Sequence, residues 1–188
     1  HADAENTGVK VVSGTKDTTL IVGTYWTGSN KYFAQAGTMR VYGNVENFNC
    51  TYNYSKITGL DVSNNTALTN LYCNNNSLNS LNLTGCAALT ILSCHNNNFT
   101  TQALDEIFCA LPQRQASDNA VIYPVYDASS SNHSIVLATN KQNAIAKNWS
   151  VQYYSDDTDI PATTGTYVCG TTNPCPPVSN LTATVNSN

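Results

Sequence analysis

The stretch LYCNNNSLNSLNLTGCAALTILSCHNNNF (Leu71–Phe99) opens on the phrase LYCNNNSL and closes on LSCHNNNF. Superposed, Leu68, Leu71, Cys73, Asn76 and Leu78 map onto Leu89, Leu92, Cys94, Asn97 and Phe99, each with an offset of 21 residues. The other half of the unit repeats at the same offset, LDVSNNTAL (Leu60–Leu68) falling on LNLTGCAAL (Leu81–Leu89). Upstream, VENFNCTYNYSKI sets Val45, Phe48, Cys50 and Asn53 in the places of Leu68, Leu71, Cys73 and Asn76, with two extra residues placed at YSK. A fixed short period means stacking, because one unit cannot bury its own apolar side.

The shared template, L-x-x-L-x-C-x-x-N-x-L, is a leucine-rich-repeat signature. It predicts an α/β solenoid: a short right-handed coil with a parallel β-sheet, a β-rich N-terminal cap and helix-containing C-terminal turns. The L-x-C segment reads as a short strand whose alternate residues point inward. The asparagine turns the chain out of the strand, and its amide is expected to satisfy backbone groups of neighbouring turns. Asn53, Asn76 and Asn97 would then form a ladder. Cys50, Cys73 and Cys94 form a column of small core residues. Cys86, in the slot of Asn65, is expected to point inward as well. The outward positions make three columns: Asn47, Asn70 and Ile91; Asn49, Tyr72 and Ser93; Thr51, Asn74 and His95. This polar, almost uncharged concave face is the candidate binding surface, and Tyr72 is suited to stack on a sugar or anchor a peptide. An ordinary solvated sheet face is the alternative.

Past Phe99 the period lengthens. TTQALDEIFCAL (Thr100–Leu111) sets Leu104, Ile107, Phe108 and Leu111 on one helical face. Thr100 or Thr101 can cap it, Asp105 and Glu106 lie toward its positive end, and Pro112 stops it. AVIYPVY reads as a strand, LATNKQNAIAKNW as a second helix capped by Thr139 or Asn140, and WSVQYY as another strand. The domain reading is a β-rich cap over 1–44, repeats of about 21 residues over 45–100, helix-bearing turns over 101–168, and a linker from 169 to 188. Within that linker, PPVSNLTATVN resembles the first strand of a fibronectin type III-like module, and the chain reads as a fragment of a longer protein. His1 reads as a possible tag remnant.

Only 11% of the residues are charged and the net charge is −4. No basic patch is visible, which argues against nucleic acid and anionic membranes as partners, and no apolar run is long enough to span a bilayer. Of the seven cysteines, Cys169 and Cys175 in CGTTNPC are the disulfide candidates, since a short flexible loop can bring them together. The remaining cysteines, Cys109 among them, fall in apolar patterns. No C-x₂₋₄-C pair supports zinc, so no metal and no cofactor are expected. Asp156, Asp157 and Asp159 are a weak Ca²⁺ candidate set that lacks the EF-hand pattern and reads better as a solvated loop. No serine, cysteine or histidine constellation of a hydrolase is present, so no enzyme activity is expected.

The phrase LTNLYCNNNSLNSLNLTGCAALTILSCHNNNFT resembles leucine-rich-repeat proteins exported by Gram-negative anaerobes of the Bacteroides type, often called internalin-like. ALPQRQ followed by IAKNWSV is similar to the C-terminal cap of that group. The resemblance spans residues 40–154. It implies an extracellular or outer-surface, non-enzymatic binding domain, monomeric in isolation, that serves adhesion or virulence through a host or microbial protein or glycan. A structural spacer and an accessory module of a secreted enzyme are the alternatives.

Overall fold

The computed structural model describes residues 1–2, 4–25, 35, 38–54 and 57–170. The proposed fibronectin-like start and Cys175 lie outside them, as does part of the YSK insertion. An antiparallel hairpin, β1 (Thr7–Ser13) and β2 (Lys16–Val22), opens the chain. β3 (Thr38–Tyr42) pairs antiparallel with β1 and parallel with β5 (Gly59–Asp61), which pairs parallel with β7 (Ser80–Asn82). A second sheet is parallel throughout: β4 (Asn47–Asn49), β6 (Asn70–Tyr72), β8 (Ile91–Ser93), β9 (Ala120–Val125) and β10 (Trp149–Tyr153), hydrogen-bonded in that order.

From β3 onward the chain alternates between two layers. The 21-residue offset becomes a register: Thr38 lies beside Gly59 and Gly59 beside Ser80, while Asn70 lies beside Ile91. Each unit thus supplies a strand to both sheets, and the repeat carries a second strand beyond the L-x-C one. After β7 the first layer turns helical. α1 (Thr101–Ala110) packs beside β7, followed by α2 (His133–Leu137) and α3 (Gln142–Ile145). One contiguous core runs between the layers from Val9 to Ile160 and includes Leu71, Leu92, Ile122, Leu60, Leu83 and Leu104.

The asparagines hold the bends. Asn76 Nδ2 donates to the carbonyl of Cys73 in its own turn and to that of Cys50 in the turn before, each at 2.9 Å, and its Oδ1 accepts from Asn53 N at 3.1 Å. Asn97 likewise donates to Cys94 O at 2.9 Å and Cys73 O at 3.1 Å, and accepts from Leu78 N at 3.0 Å. Asn53, in the first of these turns, donates to Cys50 O at 2.8 Å. On the other layer, Asn65 donates to Val62 O at 2.7 Å and the Cys86 thiol reaches the same carbonyl at 3.1 Å. Both residues are buried, in matching slots. The bends use the left-handed region, with Asn75 at φ 56° and Asn96 at φ 54°, a conformation asparagine tolerates better than most residues.

α1 begins where Thr100 Oγ1 accepts from Ala103 N at 3.1 Å and buries Leu104, Ile107 and Phe108. Asp105 does not serve the positive end. It turns inward, where its carboxylate accepts from Asn140 N at 2.7 Å. The carbonyls at the helix end are met by the Lys147 ammonium, which bonds Phe108 O, Cys109 O and Leu111 O, a cation placed where the helix dipole favours one. The Trp149 indole adds a bond to Pro112 O at 2.8 Å.

One expectation is corrected and one is extended. Cys169 is bonded to Cys109, not to Cys175, because the segment after β10 runs back across the helical layer and lays Cys169 against the end of α1. The helix expected after Thr139 or Asn140 is the short α3, where Asn140 Oδ1 accepts from Gln142 N at 3.3 Å; α2, just upstream, is an additional helix, closed by buried Thr139 donating to Val136 O. The His1 carbonyl accepts from Glu46 N and Asn47 N at the start of β4.

Two outcomes follow. Asn76→Ala leaves the Asn53 amide unmet and takes one of two side-chain donors from each of Cys50 O and Cys73 O, so it should lower unfolding free energy by about 1–3 kcal/mol in urea denaturation; a change within about 0.5 kcal/mol would count against the ladder. Cys50, Cys73, Cys86 and Cys94 are buried free thiols, and burial pushes Cys50 and Cys94 up to about 12 and Cys86 to about 11. Peptide mapping after alkylation should find these four unmodified until the protein is unfolded, and Cys109 and Cys169 modified only after reduction.

Candidate binding face

The outer side of the β4–β6–β8–β9 sheet carries the three predicted columns, with different fates. Asn47, Asn70 and Ile91 stand in register and half-exposed, beside exposed Asn49 and half-exposed Tyr72 and Thr51. Ser93, His95 and Asn74 lie on the predicted side of their strands, yet they are 0%, 1% and 6% exposed. Ser93 and His95 are no part of an open face, and Asn74 reaches solvent only where it lines a cleft. Tyr154, following β10, lies over His95 with ring centroids 4.3 Å apart, and Tyr126, following β9, lies 5.7 Å away. Tyr123 meets Tyr154 edge-on at 5.5 Å, and its hydroxyl donates to Asp157 Oδ1 at 2.8 Å.

Under this cover Ser93 Oγ is 3.2 Å from both Asn74 Oδ1 and His95 Nδ1. A serine hydroxyl carries one proton, so donation to Asn74 leaves Oγ to accept from a protonated Nδ1 of neutral His95. Burial disfavours the imidazolium and pushes His95 down to about 4. The pair has neither substrate access nor a third orienting carboxylate in contact with His95 among the described residues, so it lacks the relay of a serine hydrolase.

The acidic loop does not gather its carboxylates. Asp156 accepts from Thr158 N and Oγ1, Asp157 from Tyr123, and Asp159 from Gln152. Among the described residues no three His, Cys, Asp or Glu side chains are placed to hold a metal ion, and no helix is long and apolar enough to cross a membrane.

Sequence reasoning singled out Tyr72 and missed the tyrosines around it. Tyr52, 62% exposed, and Tyr54, 70% exposed, meet edge-to-face at 6.4 Å. Tyr52 holds φ 58° at the bend where the next turns place Asn75 and Asn96. Those two asparagines also bond each other, Asn96 Nδ2 to Asn75 Oδ1 at 3.0 Å. Tyrosine there takes on a backbone cost of about 1–2 kcal/mol and gives up that amide contact. A signal existed: CTYN, CNNN and CHNN align, and only the first puts an aromatic in the third place. The result is a cleft of about 390 Å³ lined by Asn49, Thr51, Tyr52, Tyr72, Asn74 and Tyr154. A hollow of about 360 Å³ between β7 and α1, lined by residues such as Leu81, Ala103 and Glu106, has no aromatic wall.

Comparison with known protein families, with curated proteins and with solved structures finds no match to this chain.

The buried histidine gives a pH test. Its folded-state value lies below the ordinary 6.5, so the unfolded chain binds the extra proton first. Stability is full above about pH 6.5 and should fall by on the order of 3 kcal/mol as the pH drops toward 4. Urea denaturation across this range should show that loss, with a clearly smaller one in His95→Asn. Equal slopes in the two proteins would assign the pH dependence elsewhere.

Proposed function

We propose that the chain is a leucine-rich-repeat coil of the internalin-like kind from an exported bacterial surface protein. In this reading it is a non-catalytic binding module, and its contact surface is the tyrosine-lined cleft on the outer side of β4–β6–β8. The partner is a surface protein or glycan of a host or another microbe. The observation that carries the reading is the wall of Tyr52, Tyr72 and Tyr154 around the cleft. Exposed tyrosines supply large contact area at small entropic cost and recur as anchors of binding surfaces. The stacked 21-residue register and the asparagine ladder support the repeat assignment. The low share of charged residues, 11%, suits a surface that binds through amides and rings. Burial of Ser93 and His95 speaks against a catalytic role for the one serine–histidine contact on this face.

Binding of the chain to intact host and microbial cells tests the reading, with Tyr72→Ala and Tyr154→Ala as probes and Tyr42→Ala as the control. Tyr42 is exposed on β3, in the other sheet. Loss of a central aromatic anchor should weaken binding by at least about tenfold, near 1.4 kcal/mol or more, while Tyr42→Ala binds like the parent. Equal binding by all variants would move the site off this face. Failure of the parent to bind any surface would favour a spacer that displays neighbouring modules.

A further inference from the structure

The cleft has a chemistry that narrows its ligand, and the following step rests on the binding reading above. Three rings, Tyr52, Tyr72 and Tyr154, and three short polar side chains, Asn49, Thr51 and Asn74, line it. No charged side chain lines it. Asn49 Oδ1 is engaged by Thr51 N at 3.0 Å and Asn74 Oδ1 by Ser93 Oγ at 3.2 Å. That fixes both amides and leaves their Nδ2 groups, with the Thr51 hydroxyl, without a hydrogen-bond partner among the described residues. The rings are held as well. Tyr154 rests on His95 at 4.3 Å, and Tyr52 is braced by Tyr54.

We infer that this cleft binds a short neutral oligosaccharide. A pyranose chair presents an apolar face of C–H groups, which stacks on a tyrosine ring, and a rim of hydroxyls, which accept from amide N–H and exchange bonds with a threonine hydroxyl. No cationic side chain lines the cleft to pair with a carboxylated or sulfated sugar. The size, about 390 Å³, falls in the range of small-ligand sites, about 300–1,000 Å³. Tyr52 supplies the independent argument. It keeps a left-handed backbone that the sister turns give to asparagine, and it lines the cleft. Strain kept at an exposed position points to use of the side chain there.

The test is titration of the full chain with neutral hexose and N-acetylhexosamine oligomers (cello-, malto-, manno- and chito-oligosaccharides), with oligogalacturonate as the acidic counterpart. Binding is followed by ¹H–¹⁵N NMR. At least one neutral series should shift the side-chain amides of Asn49 and Asn74, with oligogalacturonate at least tenfold weaker. Tyr52→Ala should cost at least tenfold in affinity. Tyr52→Asn restores the residue of the sister turns; it should melt about 2–4 °C higher and still lose the sugar. Silence of every neutral oligomer, equal binding of oligogalacturonate, or unchanged affinity in Tyr52→Asn overturns the assignment. If sugars are silent while Tyr72-dependent binding to cell surfaces persists, the ligand is proteinaceous and only the saccharide inference falls. If both fail, the binding reading falls with it.

Discussion

The side-chain amide of one asparagine per turn carries the stacking. A strand of three residues that bends at once toward the opposite layer leaves its last carbonyl facing the interior, where no strand partner reaches it. Asn76 and Asn97 each give one proton to the carbonyl of their own turn and one to that of the turn before, and their oxygens take an amide from a neighbouring segment. Leaving such groups unmet costs about 1–3 kcal/mol each. The geometry also limits what stands beside the ladder. Successive turns sit one strand spacing apart, and the residue before each bend must be small and apolar, which Cys50, Cys73 and Cys94 satisfy as buried free thiols.

A stack of open turns needs both ends closed. At one end β1–β3 extend the first layer with antiparallel and then parallel pairing, and the His1 carbonyl meets the edge of β4. At the other, α1 takes the place beyond β7. Its carbonyls are met by Lys147, and it is tied through Cys109 to Cys169 in the returning segment. Edge strand β10 is covered by that same segment, with Ile160 N bonded to Val151 O at 3.0 Å. The same end carries the loops that bring Tyr126 and Tyr154 over His95 on the candidate face.

Periodicity made the asparagine slots, the cysteine column and the register readable, because each recurs at one offset and obeys strand alternation. Three adjacent asparagines in CNNN looked alike as letters, but alternation and the bend separate their roles. Asn74 meets Ser93, Asn75 takes the left-handed turn, and Asn76 spans two turns. What stayed hidden depends on contacts distant in sequence. Alternation says which side of a strand a residue takes, not what another loop lays over it, so Ser93 and His95 read as surface while Tyr154 buries them. The partner of Cys169 was missed for the same reason: nearness along the chain favoured Cys175, and the return path favoured Cys109. The tyrosine wall comes from a bend, a strand and a loop that share no repeat position.

In the proposed reading, ladder and cleft are two uses of one bend. Where the bend carries asparagine it serves stacking, and where it carries Tyr52 it serves contact with a partner. That division requires the ladder to be rigid enough to present the rings. Native-state hydrogen exchange tests this most directly at the amides of Asn53 and Leu78, which the oxygens of Asn76 and Asn97 accept. Both should exchange only through global unfolding, with the same opening free energy as the Cys73 amide between β6 and β8. Exchange of Asn53 and Leu78 at the rate of exposed loops, while Cys73 stays protected, would contradict a rigid ladder.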